Sequence, residues 1–77
     1  MALTRDLQPM PDFVAEALDA KELRAAYEAR PPYQRNDYLG WINRAKRPET
    51  KDKRLHQMLA ELQAGEGYMN MAWRPRD

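Results

Sequence analysis

The chain has 77 residues, a net charge of +1, 32% charged residues and no cysteine. A chain of this length makes one domain with a small core, and without cysteine it has neither a disulfide nor a thiolate metal site to reinforce it. No segment approaches the ~20 apolar residues of a spanning helix and none has the form of a signal peptide, so we expect a cytoplasmic protein without membrane insertion.

The N-terminal part of the chain predicts an arm followed by two short helices. Prolines near its start exclude a helix over residues 1–10, which we expect to be a flexible arm. The short helices are predicted over about 13–18 and 20–29. The break between them is placed at Asp19, because Asp19 and Glu22 have the spacing of a capping box.

Two longer helices are predicted next, over about 32–46 and 49–64, and each begins at a proline, as suits a first helical turn. Apolar residues recur at i, i+3, i+4 and i+7 in both, which places them on one face of each helix. These are Tyr38, Trp41, Ile42 and Ala45, and then Leu55, Met58, Leu59 and Leu62. Short links make such helices antiparallel neighbours. The predicted fold is therefore all-α, a small bundle of four short helices around a central αα-hairpin.

The helical domain is predicted to span 11–65 and to leave a C-terminal tail, 66–77. The tail contains apolar residues without helical spacing, among them Tyr68 and Trp73. It either folds back on the helices or presents an apolar segment to a partner, and the first alternative is favoured. No sheet is expected, and the three aromatic residues Tyr33, Tyr38 and Trp41 are expected in the core.

The residue types that most enzymes need are scarce. The chain has no serine and one histidine, His56, so a nucleophile activated by a base lacks its partners. A zinc site would have to rely on carboxylates, and no glycine-rich loop is present to hold phosphates. We therefore expect a non-enzymatic protein with no cofactor and no metal. His56 lies off the apolar face and is expected at the surface, with a role as a proton switch as the alternative.

Positive charge is concentrated around the turn between the two longer helices. Residues 31–56 contain seven basic and three acidic side chains, whereas residues 1–30 contain four and six. Six of the basic residues surround this turn: Arg44, Lys46, Arg47, Lys51, Lys53 and Arg54. Because a helix N-terminus carries partial positive charge and free N–H groups, the turn is a candidate binding surface for an anionic partner. The alternative is a solvated turn whose charges pair locally with Glu49 and Asp52.

Two functions fit this surface. The first is a protein-interaction module whose contact surface is the basic turn, with or without the tail. The second is a nucleic-acid-binding protein in which the hairpin acts as a helix-turn-helix and the fourth helix enters a major groove. A net charge near zero and acidic flanking regions weaken phosphate attraction, which favours the first. The identity of the partner and the oligomeric state are open.

The order of residues in the hairpin resembles that of a known family. Pro31-Pro32, Tyr38, Trp41-Ile42, Ala45-Lys46, Glu49-Thr50-Lys51 and Arg54 follow the pattern of the bacteriocin-protection, YdeI/OmpD-associated family. The resemblance covers about residues 11–64 and leaves out the tail. It implies a helical bacterial domain connected with bacteriocin resistance and an outer-membrane porin, and it supplies no catalytic residue. Lys51 stands where the family often has arginine, which keeps the charge but loses the planar guanidinium.

Overall fold

The computed structural model describes residues 7–69 and 71–74. Four α-helices follow one another as α1 (Asp12–Ala20), α2 (Arg24–Glu28), α3 (Pro32–Arg44) and α4 (Pro48–Ala64). The described residues form no strand, and an isolated bridge joins Tyr68 and Met71. The prediction of an all-α bundle of four short helices is confirmed.

Helices α3 and α4 form the antiparallel hairpin at the centre of the bundle. Contacts between them run in opposite directions along the two helices: Lys51 of α4 reaches Ile42, Arg54 reaches Trp41, and Glu61 reaches Tyr38. Helix α1 packs on α2, and α2 packs on α4. The two short helices therefore cover the hairpin as predicted.

One hydrophobic core joins all four helices. Its buried members are Val14, Leu18, Tyr27, Tyr38, Leu39, Ile42, Leu55, Met58, Leu59, Leu62 and Tyr68. The predicted apolar face of α4 is buried in full. On α3, Tyr38 and Ile42 have no exposed surface, Trp41 is half-buried, and Tyr33 is 43% exposed. The expectation that Tyr33 belongs to the core is wrong.

The junction between α1 and α2 differs from the prediction. Helix α1 continues through Asp19 to Ala20, and α2 begins only at Arg24. The side chain of Asp19 caps no helix; its two carboxylate oxygens accept hydrogen bonds from Arg24 at 3.1 Å each. Glu22 takes a left-handed conformation, with φ of 56°. The capping-box prediction was wrong, because α1 continues through Asp19 and the Asp19 carboxylate pairs with Arg24, five residues further along, instead of with a backbone amide.

Helix ends at the hairpin follow proline and glycine rules. Pro48 occupies the first turn of α4, and Arg47 before it is extended, with ψ of 142°, as a residue before proline prefers. Helix α3 ends at Arg44, two residues earlier than predicted, and Ala45 is already extended. Gly65 ends α4 with φ of 79°, the left-handed position that favours glycine.

The described part of the predicted N-terminal arm lies against α3. The amide of Gln8 donates to Asn36 Oδ1 (2.7 Å), and the side chain of Asn43 donates to the Pro9 carbonyl (3.0 Å). The Gln8 side chain crosses Gly40, where an added Cβ would lie 3.1 Å from Gln8 Cγ. Gly40 thus makes room for the Gln8 side chain against α3. Residues 1–6 lie outside the described residues, and the flexibility of the arm stays a prediction.

Candidate functional site

The turn between α3 and α4 divides the six predicted site residues into two groups. Lys51 Nζ donates to the carbonyls of Ile42 (3.4 Å) and Asn43 (3.0 Å), in the last turn of α3. The final carbonyls of a helix have no partner within the helix and carry partial negative charge, so a cation is stabilised there. Lys51 therefore closes the end of α3 from the neighbouring helix.

Arg54, one turn further along α4, also binds the end of α3. Its Nη1 donates to the Trp41 carbonyl (2.7 Å), and its guanidinium carbon lies 5.4 Å from the centroid of the Trp41 ring. The cation on the aromatic face and the hydrogen bond fix the position of both side chains. Arg54 and Lys51 thus join α3 to α4, and their charges are already satisfied by groups of this chain.

The other four predicted site residues, Arg44, Lys46, Arg47 and Lys53, are exposed. Among the described residues, ion pairs within 4.0 Å join Arg24 to Asp19, His56 to Asp52, and Arg74 to Glu66. None of these ion pairs involves the four exposed cations. We call them the basic turn. Residues Glu49 and Asp52 are exposed beside it, so the surface is positive but interrupted by carboxylates.

A shallow groove borders the basic turn. It has a volume of about 220 Å³ and is lined by Phe13, Pro48, Lys51 and Asp52. Phe13 is 40% exposed, so the first turn of α1 adds an apolar edge to the charged surface. His56 is exposed, as expected, and its Nδ1 lies 3.5 Å from Asp52.

A second arrangement of polar groups was not predicted from the sequence. Arg30, two residues after the end of α2, is 5% exposed. Its Nη1 donates to Gln34 Oε1 (3.2 Å) and to the Gly67 carbonyl (2.6 Å), and its Nη2 donates to the Glu61 carbonyl (2.9 Å). A buried charge costs free energy unless hydrogen bonds replace its water, and these three bonds do so. Two of the acceptors are backbone carbonyls, which a sequence pattern does not reveal.

Glu61 receives donors from three parts of the chain. Its Oε1 accepts hydrogen bonds from the Tyr38 hydroxyl and from the Met69 amide (2.8 Å), and its Oε2 accepts one from Gln57 (3.2 Å). Burial, together with the carboxylate of Glu61, raises the pKa of Tyr38, because both disfavour a phenolate at this place. The only sequence signal was the position of Glu61, one turn after Met58 at the edge of the apolar face.

The described residues give no indication of a metal centre or a membrane span. No group of three or more His, Cys, Asp or Glu side chains within residues 7–69 and 71–74 could hold a metal ion. No helix in the same part of the chain is long and apolar enough to cross a membrane.

The comparison with known families identifies the chain at the level of the domain. The sequence model of the family described as "Bacteriocin-protection, YdeI or OmpD-Associated" matches residues 9–65. This span includes all four helices and both groups of basic residues. The chain belongs to this family. No curated protein and no solved structure matches the chain.

Proposed function

We propose that this domain is a non-enzymatic protein-interaction module that contacts an acidic protein surface through the basic turn. The description of its family, with its reference to bacteriocin protection, supports a role in that process or at the cell envelope. One observation carries the choice of surface. Lys51 and Arg54 are bound to the end of α3, while Arg44, Lys46, Arg47 and Lys53 remain exposed around the same turn.

The two bound cations hold in one conformation the turn that carries the exposed cations. Lys51 and Arg54 hold the end of α3 against α4 through three backbone carbonyls, those of Trp41, Ile42 and Asn43. A surface held in one conformation loses less conformational entropy when a partner binds. Rim charges of this kind act mainly on the association rate and on the choice of partner.

The same contacts disfavour the nucleic-acid alternative. A recognition helix needs its first two turns free to contact base edges and phosphates. Here Lys51 and Arg54 are turned to α3, and exposed Glu49 and Asp52 interrupt the positive surface. A protein surface of mixed charge can place a cation opposite such a carboxylate, whereas the phosphates of a duplex form a continuous row of negative charge.

The test compares two single variants of equal net charge. Lys53→Glu reverses one charge of the basic turn, and Lys21→Glu reverses one exposed charge elsewhere. Fluorescence anisotropy with a labelled oligoglutamate peptide at about 50 mM salt should show a loss of roughly tenfold or more in affinity for the first variant and little change for the second. A labelled DNA duplex and a labelled single-stranded RNA are measured in parallel.

Three outcomes count against the proposal. Equal losses in both variants would mean that only net charge matters, and no binding of the peptide by the wild-type chain would remove the surface as an anion site. Tighter binding of DNA or RNA than of oligoglutamate, with a steep dependence on salt, would favour the nucleic-acid alternative. A pull-down from source cells with the same variants then identifies the partner.

A further inference from the structure

The C-terminal strap, residues 66–69 and 71–74, folds back over α2, α3 and α4. Helix α4 ends at Gly65, and the chain reverses through Gly67, whose φ is 91°. The strap holds its own shape through hydrogen bonds from Gly67 N–H to the Trp73 carbonyl (2.8 Å) and between Tyr68 and Met71 in both directions. The alternative in which the tail folds back on the helices is therefore the one observed for these residues.

The helices hold the strap by its backbone. Arg30 donates to the Gly67 carbonyl, and the Glu61 carboxylate accepts from the Met69 amide. Every peptide offers a carbonyl and an amide of this kind. Recognition of peptide segments uses such backbone bonds for affinity and side-chain pockets for specificity.

Two aromatic side chains supply the specific contacts. The Tyr68 ring packs edge-on against Tyr33 (5.9 Å between centroids) and Tyr38 (5.4 Å), and its hydroxyl donates to Asp37 (2.6 Å). Five residues later, the Trp73 ring lies under the guanidinium of Arg30, whose carbon is 4.4 Å from the ring centroid. The groove thus has one position for each aromatic residue.

Trp73 fills its position incompletely. A cleft of about 220 Å³, mostly apolar and partly open to solvent, remains between the strap and the helices. Its lining consists of Ala26, Ala29, Arg30, Leu62, Gly65 and Trp73. The half-buried Trp73 therefore gains less from burial than a fully enclosed ring would.

We propose that this groove is a second interaction site, which receives a partner segment that makes the same turn as the strap and carries a tyrosine and a tryptophan at the same spacing. The strap occupies the groove as an intramolecular competitor. The groove residues Arg30, Tyr38 and Glu61 all lie within the family match at 9–65, whereas the strap lies outside it. The site does not involve the basic turn, so either proposal can fail alone.

The competition sets what a binding experiment should show. A tethered segment acts at an effective concentration on the order of millimolar. A free peptide binds only to molecules whose groove is open, so its apparent affinity falls to the intrinsic affinity multiplied by the fraction of open molecules. Weakening the strap at Trp73 should therefore strengthen binding of a free peptide. Weakening an exposed part of the strap, such as the 56% exposed Met71, should not.

The probe is a fluorescein-labelled peptide with the sequence of residues 67–73, titrated into the full chain and followed by anisotropy. Trp73→Ala should bind it roughly tenfold more tightly than the wild-type chain, and Met71→Ala should match the wild type. A control peptide with alanine at both aromatic positions should bind weakly to all three. Equal affinity of Trp73→Ala and wild type, or equal binding of the two peptides, would overturn the proposal.

Hydrogen exchange of the wild-type chain provides a second measurement that needs no variant. If the strap opens while the helices stay folded, the Met69 amide should exchange at least about a hundredfold faster than the Leu59 amide within α4. Equal exchange rates would mean that the strap leaves only on global unfolding, which contradicts the proposal. Dimerisation of the wild-type chain, without peptide binding by Trp73→Ala, would assign the groove to a second copy instead.

Discussion

Arg30 places a guanidinium at the meeting point of α2, α4 and the strap. It donates to backbone carbonyls of Glu61 and Gly67 and covers the Trp73 ring. Replacing it with methionine keeps much of the side-chain volume but leaves both carbonyls without this donor. We expect Arg30→Met to lower the free energy of unfolding by about 2–3 kcal/mol, measured by urea denaturation.

The matched control for that variant is Arg47→Met, the same substitution at an exposed residue of the basic turn. Its effect should stay within about 0.5 kcal/mol. Similar effects of the two substitutions would show that Arg30 contributes no more than a surface arginine and that other contacts hold the strap.

The raised pKa of Tyr38 predicts how the free energy of unfolding changes at alkaline pH. Its pKa is raised by burial and by the Glu61 carboxylate, so the folded state keeps the neutral phenol where the unfolded state begins to ionise. The contribution is complete below the ordinary tyrosine pKa of about 10 and is lost as pH rises above it. Tyr27, whose pKa burial also raises, acts in the same direction.

Tyr38→Phe isolates this contribution. At pH 8 the variant should be less stable by about 1 kcal/mol, because the hydrogen bond to Glu61 is lost. Above pH 10 the difference should shrink by up to about 1.4 kcal/mol per pH unit, since phenylalanine has no proton to lose. Urea denaturation between pH 8 and pH 11 measures both, and a constant difference would contradict the ionisation argument.

At the scale of the helices, the prolines made the hairpin predictable. Pro32 and Pro48 each occupy a first helical turn, and the apolar face of α4 is buried as its spacing indicated. The cap at Asp19 was mispredicted because a capping carboxylate and an ion-paired carboxylate look the same in sequence. The nearby Arg24 pairs with the Asp19 carboxylate, although both side chains remain exposed to solvent.

The packing of the two long helices explains why six clustered cations do not form a uniform surface. A basic residue early in α4 faces either the solvent or the end of α3, according to its position on the helix. Lys51 and Arg54, three residues apart, face α3, and Lys53 faces the solvent. Composition identified the cluster, but only the packing of α3 against α4 shows which cations are already bound.

Lys51 and Lys53 therefore form a matched pair for experiment. Lys51→Met should lower the free energy of unfolding by about 1 kcal/mol, because the Asn43 and Ile42 carbonyls lose a charged donor at the end of α3. Lys53→Met should change it by less than about 0.5 kcal/mol. Thermal unfolding followed by circular dichroism measures both, and equal values would show that Lys51 does not close α3.

For the molecule as a whole, the helices were within reach of sequence reasoning and the path of the strap was not. Helical spacing is a local signal, whereas the strap has no period and is held by Arg30 and Glu61, distant residues whose roles depend on backbone groups. Tyr68, four residues beyond the end of α4, completes a core that the helices alone leave open. A domain of this size gains measurably from one further buried aromatic side chain.

The core and the strap can be compared with one substitution made at two methionines. Met58 in α4 has no exposed surface, whereas Met71 in the strap is 56% exposed. Met58→Ala should cost about 2–5 kcal/mol, and Met71→Ala less than about 0.5 kcal/mol. A chain of 77 residues has a total stability on the order of 4–12 kcal/mol, so the first substitution removes a large part of it. Urea denaturation of both variants measures the difference, and a cost at Met71 equal to that at Met58 would mean that the Met71 side chain is packed as tightly as a core residue.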